Sequence, residues 1–129
     1  MSRDPYKLEA FQLADSLVVQ LYRASAHFPP AERFGLQAQL RRAAVSVTAN
    51  LVEGCARRSE RDFLHFISIA IGSASEVRYL VSLSVRLEFI DSSVGEGLAH
   101  GYLRVARALQ SLVTVMTSGR GPRTEDRGP

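Results

Sequence analysis

The feature that most constrains this chain is a polar stripe enclosed by apolar residues, along Leu36 to Ser59 (LQAQLRRAAVSVTANLVEGCARRS). The stretch has no proline, and its only glycine, Gly54, stands where a helix would end. On a wheel of about 100° per residue, Gln39, Arg42, Ser46, Asn50 and Glu53 fall within an arc of about 80°. Leu36, Leu40, Ala43, Val47 and Leu51 lie to one side, and Val45, Ala49 and Val52 to the other. An ordinary amphipathic helix opposes its polar and apolar faces. Here the pattern predicts polar groups held inside a packed structure, each in need of a partner. Arg42 and Glu53 stand about 16 Å apart along a helix, so each needs a different one: another helix, another subunit or a ligand. A network that fixes helix register is the plainer reading, and a binding site the sharper one.

The rest of the chain supplies partner helices. Leu8, Phe11, Leu17, Val18 and Leu21 recur at helical spacing between Pro5 and the terminator His27-Phe28-Pro29-Pro30. Ala31 opens a second helix, with Glu32 set against its positive end. Ser59 is a natural N-cap for a third, with Glu60 and Asp62 in its first turn. That helix is apolar over more than half its circumference, from Phe63 through Ile67, Ile71 and Val77 to Leu83. A single core needs a stripe a little over about 100° wide. The excess predicts burial against a second subunit. A fourth helix follows the cap at Asp91-Ser92-Ser93, with Gly95, Gly97 and Gly101 weakening its first half.

The expected architecture is all-α: an antiparallel, up-down-up-down four-helix bundle that self-assembles. It fills residues 1–117, with helices at about 5–27, 32–54, 59–89 and 93–117, and residues 118–129 read as a disordered tail.

Chemistry is sparse. The single cysteine, Cys55, allows no internal disulfide, and its neighbours Arg57 and Arg58 would favour a thiolate. Asp62 with His65, and Glu96 with His100, are metal-like pairs, but two ligands do not make a site. With no phosphate loop and no activated nucleophile, neither enzyme activity nor a cofactor or metal is expected. No secretory leader or long apolar run is evident, so a cytoplasmic location away from membranes is the expectation.

Charge is more informative. All but one of the 16 basic residues are Arg, the exception being Lys7. Arg33, Arg41, Arg57, Arg58 and Arg61 are candidate phosphate contacts, repeated around a ring if the chain forms one. No stacking aromatics alternate with them, so binding to RNA or DNA would have low sequence specificity.

Gln39–Gly54, QLRRAAVSVTANLVEG, resembles the signature of the four-helix-bundle family first found encoded in intervening sequences of bacterial large-subunit rRNA genes. That family includes the accessory variability determinant proteins of diversity-generating retroelements. Phe28–Ala44 and Arg57–Val77 are similar to its second-helix entry and third helix. Thr48 stands where many relatives have Pro, and Cys55-Ala56 departs from a more usual Gly- or Ser-containing pair. The resemblance implies a homopentameric barrel and a non-enzymatic accessory role, binding nucleic acid and a protein partner such as a reverse transcriptase. It also marks Glu76 as the acidic third-helix position and a candidate partner for Arg42. A scaffold with no nucleic-acid role is the alternative.

Overall fold

A computed structural model describes residues 3–118. The expected tail lies almost wholly outside them. Four helices carry the fold: α1 (Glu9–Ala24), α2 (Leu36–Cys55), α3 (Glu60–Arg86) and α4 (Ser92–Ser118). Each packs on its neighbours in sequence, α1 also packs on α4, and the diagonal pairs make no close backbone approach. This is the expected four-helix bundle. Its core is mostly aliphatic and tight: Leu21, Leu40, Leu51, Phe63, Ile67, Val77, Tyr102, Val105 and Leu109 are all fully buried.

Local chemistry moves several helix ends from their expected places. Pro5 opens a short 3-10 turn, Pro5–Lys7, rather than α1 itself. The Asp4 carboxylate accepts the Tyr6 N–H at 3.0 Å, and an extended Leu8 separates the turn from Glu9. At the far end α1 stops at Ala24, short of His27. Buried Ser25 leaves the helix there, and α2 holds it in place. Its carbonyl accepts from Gln37 Nε2 at 2.6 Å and its hydroxyl from Arg41 Nε at 2.9 Å.

The second helix also begins later than Ala31. Pro30–Glu32 form another 3-10 turn, and α2 starts after the non-helical Gly35. Glu32 still serves the helix dipole, since its carboxylate accepts the Leu36 N–H at 3.0 Å. A side chain on Gly35 would stand 2.9 Å from that carboxylate oxygen. Helix α3 ends at Arg86 because Glu88 adopts a left-handed backbone (φ 64°). The Phe89 N–H then returns to the Ser84 carbonyl at 2.8 Å, and buried Ile90 anchors the turn. Asp91 caps α4, its carboxylate accepting from the Ser93 hydroxyl at 2.6 Å and from the Ser93 N–H at 3.1 Å. Those hydrogen bonds, the hydroxyl's foremost, lower the Asp91 pKa.

The glycines of α4 differ in purpose. A Cβ on Gly95 would lie 2.3 Å from Val85 Cγ2, and one on Gly101 would lie 2.6 Å from Leu17 Cδ2. Gly97 faces open space. The helix runs unbroken through all three, because two of them let a neighbouring side chain in. Gly97→Ala should therefore stabilise the fold by up to about 1 kcal/mol, through helix propensity alone. Gly95→Ala should destabilise it by about 1–3 kcal/mol, through overpacking against a β-branched side chain. Paired denaturant titrations would read the opposite signs.

Among the described residues one buried side-chain polar atom has no partner: the Tyr102 hydroxyl, on a side chain wholly enclosed. Burial drives its pKa well above the ordinary tyrosine value. A raised folded-state pKa leaves stability intact below the unfolded value of about 10 and erodes it as pH climbs beyond. Tyr102→Phe removes the orphan, and should raise stability by about 1 kcal/mol at neutral pH. It should also lessen the loss of stability as pH climbs above about 10, read as a smaller drop in melting temperature than in the parent. A lower melting temperature for the variant at pH 7 would contradict this account.

Candidate nucleic-acid interface

The turn between α2 and α3 forms one end of the bundle. Gly54 lets the two helices approach closely there: a Cβ on it would sit 3.0 Å from Phe66 Cβ and 3.4 Å from the Phe63 carbonyl. Ser59 Oγ accepts the Asp62 N–H at 3.0 Å, which fixes the start of α3. Arg57, Arg58 and Arg61 are all exposed around this turn. Arg57 donates to the Glu53 carboxylate at 2.6 Å, and its guanidinium lies 4.9 Å from the centre of the Phe66 ring. The sequence reading missed a further cation. Arg3 donates its backbone N–H to the Cys55 carbonyl at 2.7 Å and lays its guanidinium 4.0 Å from the Phe63 ring centre. Lys7, exposed in the 3-10 turn that packs against α2, belongs to the same end. Neither has a motif. Only the fold returns the N-terminal segment to the α2–α3 turn.

Two of the five candidate arginines stand elsewhere. Arg33 lies in the α1–α2 connection and Arg41 in the second turn of α2, roughly 20–30 Å along that 20-residue helix from its far end. Arg41 is absorbed by structure: besides Ser25 it donates to the Tyr22 carbonyl at 3.1 Å, and it lies 4.5 Å from the Tyr22 ring centre. Arg33 is exposed, 5.8 Å from the ring centre of an equally exposed Phe34.

Cys55 is buried, and desolvation raises its thiol pKa, only partly offset by Arg3. Arg57 and Arg58, the neighbours that could have favoured a thiolate, are not what governs this thiol: the cation that acts on it is Arg3, and burial outweighs it. Among the described residues no group of three or more His, Cys, Asp or Glu side chains is placed to hold a metal.

The polar stripe of α2 divides in two. Ser46 Oγ and Ser73 Oγ share a hydrogen bond of 2.8 Å across the α2–α3 seam. Asn50 Nδ2 donates to the Ser46 carbonyl at 2.8 Å and to its hydroxyl at 3.0 Å. These three form a small, half-buried network. Gln39, Arg42, Glu53 and Glu76 are exposed in the single chain. Glu53 finds its partner in Arg57, just beyond the end of its own helix, and no ion pair joins Arg42 to Glu76. The reason is that only one apolar side of α2 enters the core. Leu36, Leu40, Ala43, Val47 and Leu51 are buried, whereas Val45 and Val52 remain 42% and 46% exposed.

The two neighbouring arginines of α2 should therefore behave differently. Arg41→Gln should cost about 1–2 kcal/mol, since it strips charge-assisted hydrogen bonds from the end of α1. Arg42→Gln should change the stability of the single chain by less than about 0.5 kcal/mol. Chemical denaturation at a concentration where the protein is monomeric separates the two.

The described residues form a four-helix bundle with arginines gathered at one end and a hydroxyl pair across the α2–α3 seam. Residues 6–111 match the 23S rRNA-intervening sequence protein family, and the chain belongs to that family. The fold is similar to that of a solved protein of unknown function from the S23 ribosomal protein family of Bacteroides thetaiotaomicron, with a TM-score of 0.75. The two are 22% identical, over 81% of this chain and 95% of that one. No curated protein matches this chain.

Proposed function

We propose that this protein is a non-enzymatic accessory protein of the cytoplasm that self-assembles and binds nucleic acid through its basic end. The single observation that carries the reading is the convergence of Arg3, Lys7, Arg57, Arg58 and Arg61 around the α2–α3 turn. Phosphate backbones are recognised by such cations without regard to base sequence. The family name, which refers to intervening sequences of 23S rRNA, is consistent with an RNA ligand, and DNA shares the chemistry. The aromatic rings here lie beneath guanidinium groups, with Phe63 buried and Phe66 half-buried. They brace cations and offer no free face to a base, which favours low specificity.

Self-assembly is supported by α3. It is long and apolar enough to cross a membrane by length and composition, yet only 39% of its most apolar window is buried in one chain. A neighbouring subunit would cover the remainder, including Ile69 and Tyr79, together with Val45 and Val52 of α2. A ring, pentameric by resemblance, would repeat the basic end around its axis and add avidity without new contacts. A reverse transcriptase would then be a fitting protein partner. The exposed apolar surface equally suits a scaffold that binds proteins alone, and the following titration distinguishes the two.

Affinity of the parent for RNA and DNA should fall steeply with salt, with a log–log slope of about 0.7–0.9 per phosphate contacted. Replacing Arg57, Arg58 and Arg61 together with Gln should weaken binding and flatten that slope. Light scattering should show unchanged oligomer mass. No binding by the parent at low salt would favour the scaffold. Full binding by the triple variant would move the contact away from this end.

A further inference from the structure

Phe34 is 90% exposed, the most exposed large apolar side chain among the described residues. Isolated apolar residues at a surface are ordinary. This one is set apart by its placement. It stands between the 3-10 turn Pro30–Glu32 and the first residue of α2, and Glu32 ties that junction to the Leu36 N–H. A bulky ring is thus left in water at a hydrogen-bonded corner.

A matching hollow exists elsewhere on the chain. The groove between the C-terminal half of α3 and the start of α4 has a volume of about 260 Å³, with Val81, Val85, Gly95 and Ala99 in its lining and Arg86 and Glu96 beside them. It falls below the roughly 300–1,000 Å³ of small-molecule pockets, and is closer in scale to a single large side chain. It lies at the same end of the bundle as Phe34, because α2 begins where α3 ends. Phe34 is not among the residues that line the groove and is itself almost fully exposed, so the ring does not fill the groove of its own chain.

Charge agrees with shape. Arg33, beside the ring, and Glu96, beside the groove, have no ion-pair partner among the described residues. Arg86 is turned back toward its own helix, donating to the Ser82 carbonyl at 3.3 Å with its guanidinium 6.0 Å from the Tyr79 ring centre.

We infer that Phe34 of one copy seats in the α3–α4 groove of a second copy, with Arg33 meeting the second copy's Glu96. The occupant is this same chain. Every copy both gives a ring and receives one, so the contact is heterologous, and head-to-tail contacts of this kind build rings when the rotation closes. The inference rests on the self-assembly reading above and assigns it a specific contact.

The test is self-association of the full chain, measured by sedimentation over a dilution series. Phe34→Ala should weaken it by roughly thirtyfold or more, the effect of truncating an interface hot spot. Its monomer should melt like the parent monomer, since the ring is exposed there. Arg33→Glu and Glu96→Arg should each weaken association at low salt, and the double swap should restore it. An assembled parent whose mass is unaffected by Phe34→Ala, or a double swap weaker than either single, would overturn the contact while leaving self-assembly standing. A parent that stays monomeric throughout would overturn both, and would leave the ring and groove to other proteins.

Discussion

The close packing of α2 on α3 is the constraint on which the rest of this structure depends. Ala43, Ala44, Val47 and Gly54 on one helix, with Ala70, Ser73 and Ala74 on the other, keep side chains small within the core. At Gly54 the approach is so near that an added methyl group would press on the Phe63 carbonyl and on Phe66. Dispersion contacts accumulate only at such distances, and they vanish quickly when a gap opens. The same closeness brings the hydroxyls of Ser46 and Ser73 into hydrogen-bonding range. It also sets the short turn that gathers the arginines, so packing and the candidate site have one origin.

A bundle of four helices has no central member, and this explains the unusual surface. Helix α3 has neighbours on two sides, α2 and α4, and α2 has α1 and α3. Neither can bury apolar residues that point away from both. Val45, Val52, Ile69 and Tyr79 are left in water for that geometric reason. The polar stripe of α2 is consequently a border between a core and an outer apolar strip. Its inner members, Ser46 and Asn50, satisfy one another, while Arg42 and Gln39 are exposed.

Much of the fold was legible because periodicity reports burial directly. The leucine side of α2, the cap at Ser59 and the order of four helices all follow from spacing and turn chemistry. The misplaced ends have physical causes that spacing does not carry. Pro5 and Pro30 mark helix starts equally well as 3-10 turns, and Ser25 ends α1 because of Arg41 and Gln37, distant in sequence. Of the candidate site, the trio Arg57, Arg58 and Arg61 was visible as a local run. Arg3 was not, since its place depends on a hydrogen bond to Cys55 across the fold. Arg41 and Arg42 are adjacent in sequence and chemically identical, yet only tertiary contacts show that the first is structural. The wheel correctly showed two apolar sides on α2, but could not show that one chain covers only one of them.

The glycines of α4 have a mechanical consequence. Val85 of α3 occupies the space left by Gly95, and Leu17 of α1 the space left by Gly101, so α4 is keyed from two sides at two heights. Packed helices can ratchet past one another by a turn, about 5.4 Å, when their surfaces are uniform. Here such a step would carry both notches away from the side chains that fill them. Helix α4 is therefore locked against axial slip, and a bundle built from otherwise interchangeable aliphatic layers has a single longitudinal registry.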